Sequence, residues 1–147
     1  MTDWDEFAAG LAAELTMLPA GALVIIETTS SAPHSGLAQF AQTEDMLRAE
    51  LGAAGQLDPA AGLGTPGNQR AITAGWQIPD EYEDPNWWIE LPWPLTSASY
   101  RELATMVVIG LRDAALVTAP GDLVYQAWNS RDGNRHLELP LLGIPRQ

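Results

Sequence analysis

Apolar positions along the chain follow two rhythms, one close to 3.6 residues and one of two. The helical rhythm comes first. Phe7, Leu11, Leu15 and Leu18 share a stripe with Trp4 and Ala8, Asp3 stands at the N-cap with Glu6 three residues on, and Pro19 stops the run. This predicts an amphipathic helix near residues 3–18. Beyond Gly21, Ala22-Leu23-Val24-Ile25-Ile26-Glu27-Thr28-Thr29 is rich in branched residues and too short for a buried helix, so it reads as a central strand. Residues 36–43 and 46–51 flank Glu44-Asp45. In the second run Leu47, Ala49 and Leu51 alternate with Arg48 and Glu50, which predicts a hairpin with one wet face.

Residues 52–67 turn to Gly, Ala and Pro and read mostly as loop, with Thr65-Pro66 able to cap a short helix ending at Gly75. Residues 76–94 hold four of the six tryptophans among prolines and acids and keep neither period, so they read as a structured loop or short strand. Ser97 or Ser99 can cap the next helix, near residues 97–116, with a stripe of Tyr100, Leu103, Met106, Val107, Gly110, Leu111 and Ala114. Thr118-Ala119-Pro120-Gly121 ends it. Residues 123–128 and 136–139 then flank Arg131-Asp132-Gly133-Asn134, a hairpin turn signal, and Leu141-Leu142-Gly143-Ile144-Pro145 is a short apolar tail. The fold class expected is α+β, a single antiparallel five-stranded sheet with flanking helices in the order αβββαββ, and one domain over residues 1–147.

Composition narrows the functions. Nineteen acids oppose seven bases, all arginine, for a formal charge of −12, which argues against nucleic-acid backbones and anionic membranes as partners. The absence of cysteine removes disulfide frameworks, thiolate zinc sites and cysteine nucleophiles. The opening residues lack a basic, then apolar, leader pattern, and no window approaches a membrane span, so the expected location is the cytoplasm.

Candidate chemistry is sparse. His34 lies in a Ser-rich turn and His136 at a strand start, without HxH, HxxxH or HExxH spacing, so no metal is expected. Asp80, Glu81, Glu83 and Asp84 lack the alternation and glycine of a calcium loop and read as a solvated acidic loop. The glycines between Gly62 and Gly67 are followed by no lysine, so no nucleotide or other cofactor is expected. The aromatic cluster is the feature left over. Trp76, Trp87, Trp88 and Trp93, with Tyr82 among them, either plug the core or form a partner-binding surface, and alternation sends adjacent Trp87 and Trp88 to opposite faces.

The segment Asp84-Pro85-Asn86-Trp87-Trp88-Ile89-Glu90-Leu91-Pro92-Trp93-Pro94, then Tyr100-Arg101-Glu102-Leu103-Ala104 and Asp122-Leu123-Val124-Tyr125-Gln126-Ala127-Trp128, resembles the N-terminal TY-Chap domain of actinobacterial proteins. That group is similar to type III secretion chaperones and YbjN-like proteins. The resemblance implies a secretion-chaperone-like fold of helix, three strands, helix, two strands and helix, and a chaperone-like protein-binding role without an enzyme activity. Two departures stand out: no third helix is legible after Leu139, and residues 52–67 look like an insertion. The function expected is therefore a non-enzymatic module that holds an extended segment of another protein, working as a homodimer that buries the apolar tail. Two alternatives are an immunity-like acidic inhibitor of a basic protein and a small enzyme with a tryptophan-lined cleft and paired carboxylates.

Overall fold

The computed structural model describes residues 2–80 and 85–147. Glu81, Tyr82, Glu83 and Asp84, and with them part of the expected acidic loop, lie outside the described residues.

Helix α1 (Trp4–Thr16) begins where its cap predicts: the Asp3 carboxylate accepts from the Glu6 backbone N–H at 2.7 Å. It buries Phe7, Leu11 and Leu15. Strand β1 (Ala22–Thr28) follows, then β2 (Leu37–Gln42) and β3 (Met46–Leu51), the expected hairpin. Two 3₁₀ turns lead into α2 (Pro66–Ala74), which is capped by the Thr65 hydroxyl and ended by Gly75 in the left-handed conformation. Strand β4 (Trp87–Pro92) emerges from the tryptophan-rich segment. Helix α3 (Ser97–Val108) continues as a π-helical stretch from Ile109 to Ala114, and the chain closes with β5 (Leu123–Asn129) and the two-residue β6 (Arg135–His136).

The sheet is antiparallel throughout, in the order β4-β3-β2-β1-β5-β6. It has six strands where five were expected, and the order is αβββαβαββ rather than αβββαββ. The additional strand is β4, whose prolines and tryptophans hide its period and which becomes a strand by pairing with β3. The cap of α3 also differs: the Thr96 hydroxyl accepts from the Ser99 N–H at 3.1 Å, so Ser97 is already helical. The π stretch shortens the expected 97–116 helix. Ala115 N–H reaches back five residues to the Gly110 carbonyl, and Gly110 faces Leu51 so closely that a Cβ there would lie 2.3 Å from a Leu51 methyl.

One face of the sheet carries the core. Val24 and Ile26, Ala38 and Phe40, Leu47, Ala49 and Leu51, Trp87, and Leu123, Tyr125 and Ala127 are buried in a single cluster with the apolar stripes of α1 and α3. Trp87 is fully buried and its indole N–H donates to the Leu57 carbonyl at 2.9 Å. That bond ties the loop after β3 to the core.

The expected long second strand of the last hairpin, 136–139, and the third helix implied by the family are replaced by a strap. Leu137 N–H still bonds the Ala127 carbonyl, but the chain then leaves the sheet for a 3₁₀ turn, Pro140–Leu142, lying on α1. It returns as a short parallel pairing in which Tyr125 N–H donates to the Pro145 carbonyl and Gln147 N–H to the Tyr125 carbonyl. Close approach to α1 depends on Gly10, where a Cβ would stand 1.8 Å from the Leu141 carbonyl oxygen. Leu142 and Ile144 are buried within their own chain. Leu142 and Ile144 therefore need no second copy to cover them, while Leu141 of the same tail remains 50% exposed. No helix among the described residues is long and apolar enough to cross a membrane.

Two stability predictions follow from this packing. Replacing Trp87 by Ala should lower the unfolding free energy by about 3–5 kcal/mol, through lost transfer energy and a large cavity, in urea titrations. Replacing half-buried Trp88 should cost about 1 kcal/mol; equal losses would refute the assignment of one ring to each face. The second concerns buried Glu14, whose carboxylate accepts from the Leu141 N–H at 3.2 Å. Burial pushes this carboxyl above its ordinary value of 4.5, outweighing the backbone hydrogen bond that lowers it. The folded state thus holds the proton more tightly than the unfolded one, so its contribution to stability falls as pH rises from 4.5 through the higher folded value. Glu14→Gln should be more stable than the native chain at pH 7 and equal to it below about pH 4.

Candidate functional site

Among the described residues, no helix lies over the second face of the sheet. Because directly paired residues on antiparallel strands point the same way, the register lays out this face in rows. One row runs Glu90, Arg48, Ala41, Leu23, Trp128, His136 from β4 to β6. The next runs Trp88, Glu50, Gln39, Ile25, Gln126, and a third holds Leu37, Glu27 and Val124. Leu23, Ile25, Ala41 and Trp128 are half-buried and form the floor of a hollow of about 220 Å³, bounded by Gln39, Arg48 and Glu50. The arrangement is an apolar patch in the middle of the sheet with a polar border on the β3 side.

That border is a fixed network. Arg48 Nε donates to Glu50 Oε2 at 2.9 Å and its Nη1 to Glu90 Oε1 at 2.5 Å, while Gln39 and Asn86 amides both donate to Glu50 Oε1 at 3.0 Å. Burial pushes the Glu50 carboxyl up, but the hydrogen bonds from Asn86, Arg48 and Gln39 and the Arg48 charge outweigh it and hold the group below the usual carboxylate range. The Arg48 guanidinium also lies 5.0 Å from the centroid of the Trp88 ring. This contact couples Trp88 to the polar border of the patch.

The edges of the sheet are less available than its face. Residues 135–137 and then 145–147 occupy the outer edge of β5, and Gln77 forms a reciprocal pair of backbone hydrogen bonds with Trp88 on the outer edge of β4. Backbone pairing with an incoming strand would have to displace these segments.

Of the four expected partner-binding aromatic residues that lie among the described residues, the structure brings Trp88 to this face. Trp76 is 3% exposed, its indole N–H donating to the Met106 carbonyl at 3.1 Å, and Trp87 is 0% exposed. Both rings are core, and neither is presented to a partner. Trp93 is half-buried beyond the end of β4, against the core. Tyr82 lies outside the described residues. The residues that the aromatic cluster drew attention away from are Leu23, Ile25, Ala41 and Trp128. Their signal was present in the sequence: β1 is apolar at both parities and Trp128 alternates away from Leu123, Tyr125 and Ala127, although helices on one side can cover only one of those sets.

Catalytic and metal groups do not converge. His34 and His136 are exposed, and among the described residues no three His, Cys, Asp or Glu side chains are grouped to hold a metal ion. Glu14 is buried against the strap and Glu50 is committed to its network, so neither forms the other half of a carboxylate pair.

No curated protein matches the chain, and no solved structure does. Residues 1–129, from the first helix through β5 and the whole floor of the open face, match the family TY-Chap3, described as T3SS (YopN, CesT) and YbjN peptide-binding chaperone 3, and the chain belongs to that family.

Proposed function

We propose that this protein is a non-catalytic, chaperone-like module of the cytoplasm that holds an extended segment of another protein on the open face of its sheet. The observation that carries this is the uncovered apolar floor of Leu23, Ile25, Ala41 and Trp128 on a sheet whose opposite face is filled by helices. A contiguous apolar patch rimmed by polar groups is a recognition surface more often than a free surface. The occupied edges favour docking across the face over strand addition, and the family's description as peptide-binding chaperones supports an extended chain as the occupant.

A second copy of this chain is a poorer occupant. Face-to-face pairing would bring Glu27, Glu50 and Glu90 of two chains into one layer, on molecules that each carry −12. The acidic charge alone supports the inhibitor alternative no more than this one, and among the described residues no carboxylate pair supports the enzyme.

Fluorescence anisotropy with a dye-labelled peptide of alternating leucine and serine tests the reading. The double variant Leu23→Thr, Trp128→Ala should bind about tenfold more weakly, since each truncation removes apolar contact at the floor, while it still unfolds cooperatively in urea at a lower midpoint. Unchanged affinity in a folded variant would move the site elsewhere. Sedimentation equilibrium at micromolar concentration should return a monomer; a dimer abolished by the same double variant would make the second copy the occupant.

A further inference from the structure

Resting on that reading, we infer that the segment held on the open face is basic and follows the alternation apolar, any, apolar, any, arginine or lysine, with its two apolar side chains over Leu23 and Ile25 and its cation at Glu27. The outward residues of β1 are Leu23, Ile25 and Glu27, so the central strand presents two apolar steps and then a carboxylate, each step about 7 Å from the last. An extended segment aligned with β1 has the same repeat. It therefore meets these three positions with every second side chain.

The carboxylates of the face are not equivalent. Glu50 is occupied by Gln39, Arg48 and Asn86, and Glu90 by Arg48. Glu27 sits between Leu37 and Val124 in the register, half-buried, and forms no ion pair within the described residues. It borders a second hollow, of about 330 Å³, shared with Thr28, Ser35 and Leu37 and opening beside the first. A cation placed there completes a half-buried carboxylate that lacks a counter-charge. The −12 field of the whole chain draws a basic segment toward the face and repels an acidic one.

The test uses the full chain and three capped, dye-labelled peptides, Gly-Ser-Leu-Ser-Leu-Ser-Xaa-Ser-Gly, in which Xaa is Arg, Gln or Glu. Anisotropy titrations at physiological salt should rank them Arg, Gln, Glu, with about tenfold between the first and last. Glu27→Gln should compress the series to about twofold, and Glu27→Lys should reverse its order. Circular dichroism and the urea midpoint of both variants should match the native chain, because the position is on the uncovered face. Equal binding of the three peptides to the native chain overturns the inference while leaving the open-face reading in place, provided Leu23→Thr, Trp128→Ala still weakens all three. A ranking that persists unchanged in Glu27→Gln also overturns it, since another group would then read the charge. Failure of every peptide to bind at about 1 mM overturns this inference and the open-face reading together.

Discussion

Strand β1 runs through the middle of the sheet with branched and apolar side chains on both of its faces, and one layer of helices can cover only one of them. The rest of the architecture arranges itself around that constraint. Val24 and Ile26 draw α1 and α3 onto the inner face, and Phe7, Leu11, Leu103 and Val107 complete a core there. Leu23 and Ile25 gain partial cover from Ala41, Trp128 and the Arg48 network, and no element closes over them. A chain selected only for stability would place polar residues at these two positions, as an antiparallel sheet with one wet face ordinarily does. Their apolar character is the local rule that this sequence breaks, and the candidate site lies where it breaks.

Much of the fold could be read from the chain because its signals were local. Asp3 with Glu6, Thr65-Pro66 with Gly75, and the stripes of α1 and α3 each state their own element within a few residues. The features that the sequence left open or did not show depend on partners distant in sequence. Trp76 and Trp87 are core because carbonyls thirty residues away, at Met106 and Leu57, receive their indole N–H groups, and composition cannot distinguish such rings from exposed ones. Strand β4 exists through its pairing with β3, and the strap exists because Gly10 opens a place for it on α1. The site was partly visible. Among the described residues Trp88 was both singled out and placed on the open face, whereas the parity of β1 and β5 pointed to the floor itself.

The strap and the sheet also divide their tasks. By pairing along β5 and packing Leu139, Leu142 and Ile144 against the core, the final residues close an edge that would otherwise invite unrelated strands. A face left open beside occupied edge positions presents side chains to solvent rather than unpaired backbone groups. Glu14 is a buried carboxylate drawn into this closure, and it is held away from water at an electrostatic cost that the hydrogen bonds and the Arg48 charge offset for Glu50.

The pairing of β1 with β5 joins Ala22 to Asn129, and it is this pairing that brings Trp128 beside Leu23. Closing so long a stretch of chain is entropically slow compared with forming the β2–β3 hairpin or either long helix. The floor of the open face is consequently assembled by one of the least local contacts in the molecule. A chain that has formed its helices and first hairpin but has not yet docked β5 has core residues exposed and only half of a floor. The complete floor is thus a product of the cooperative tertiary structure rather than of any local segment.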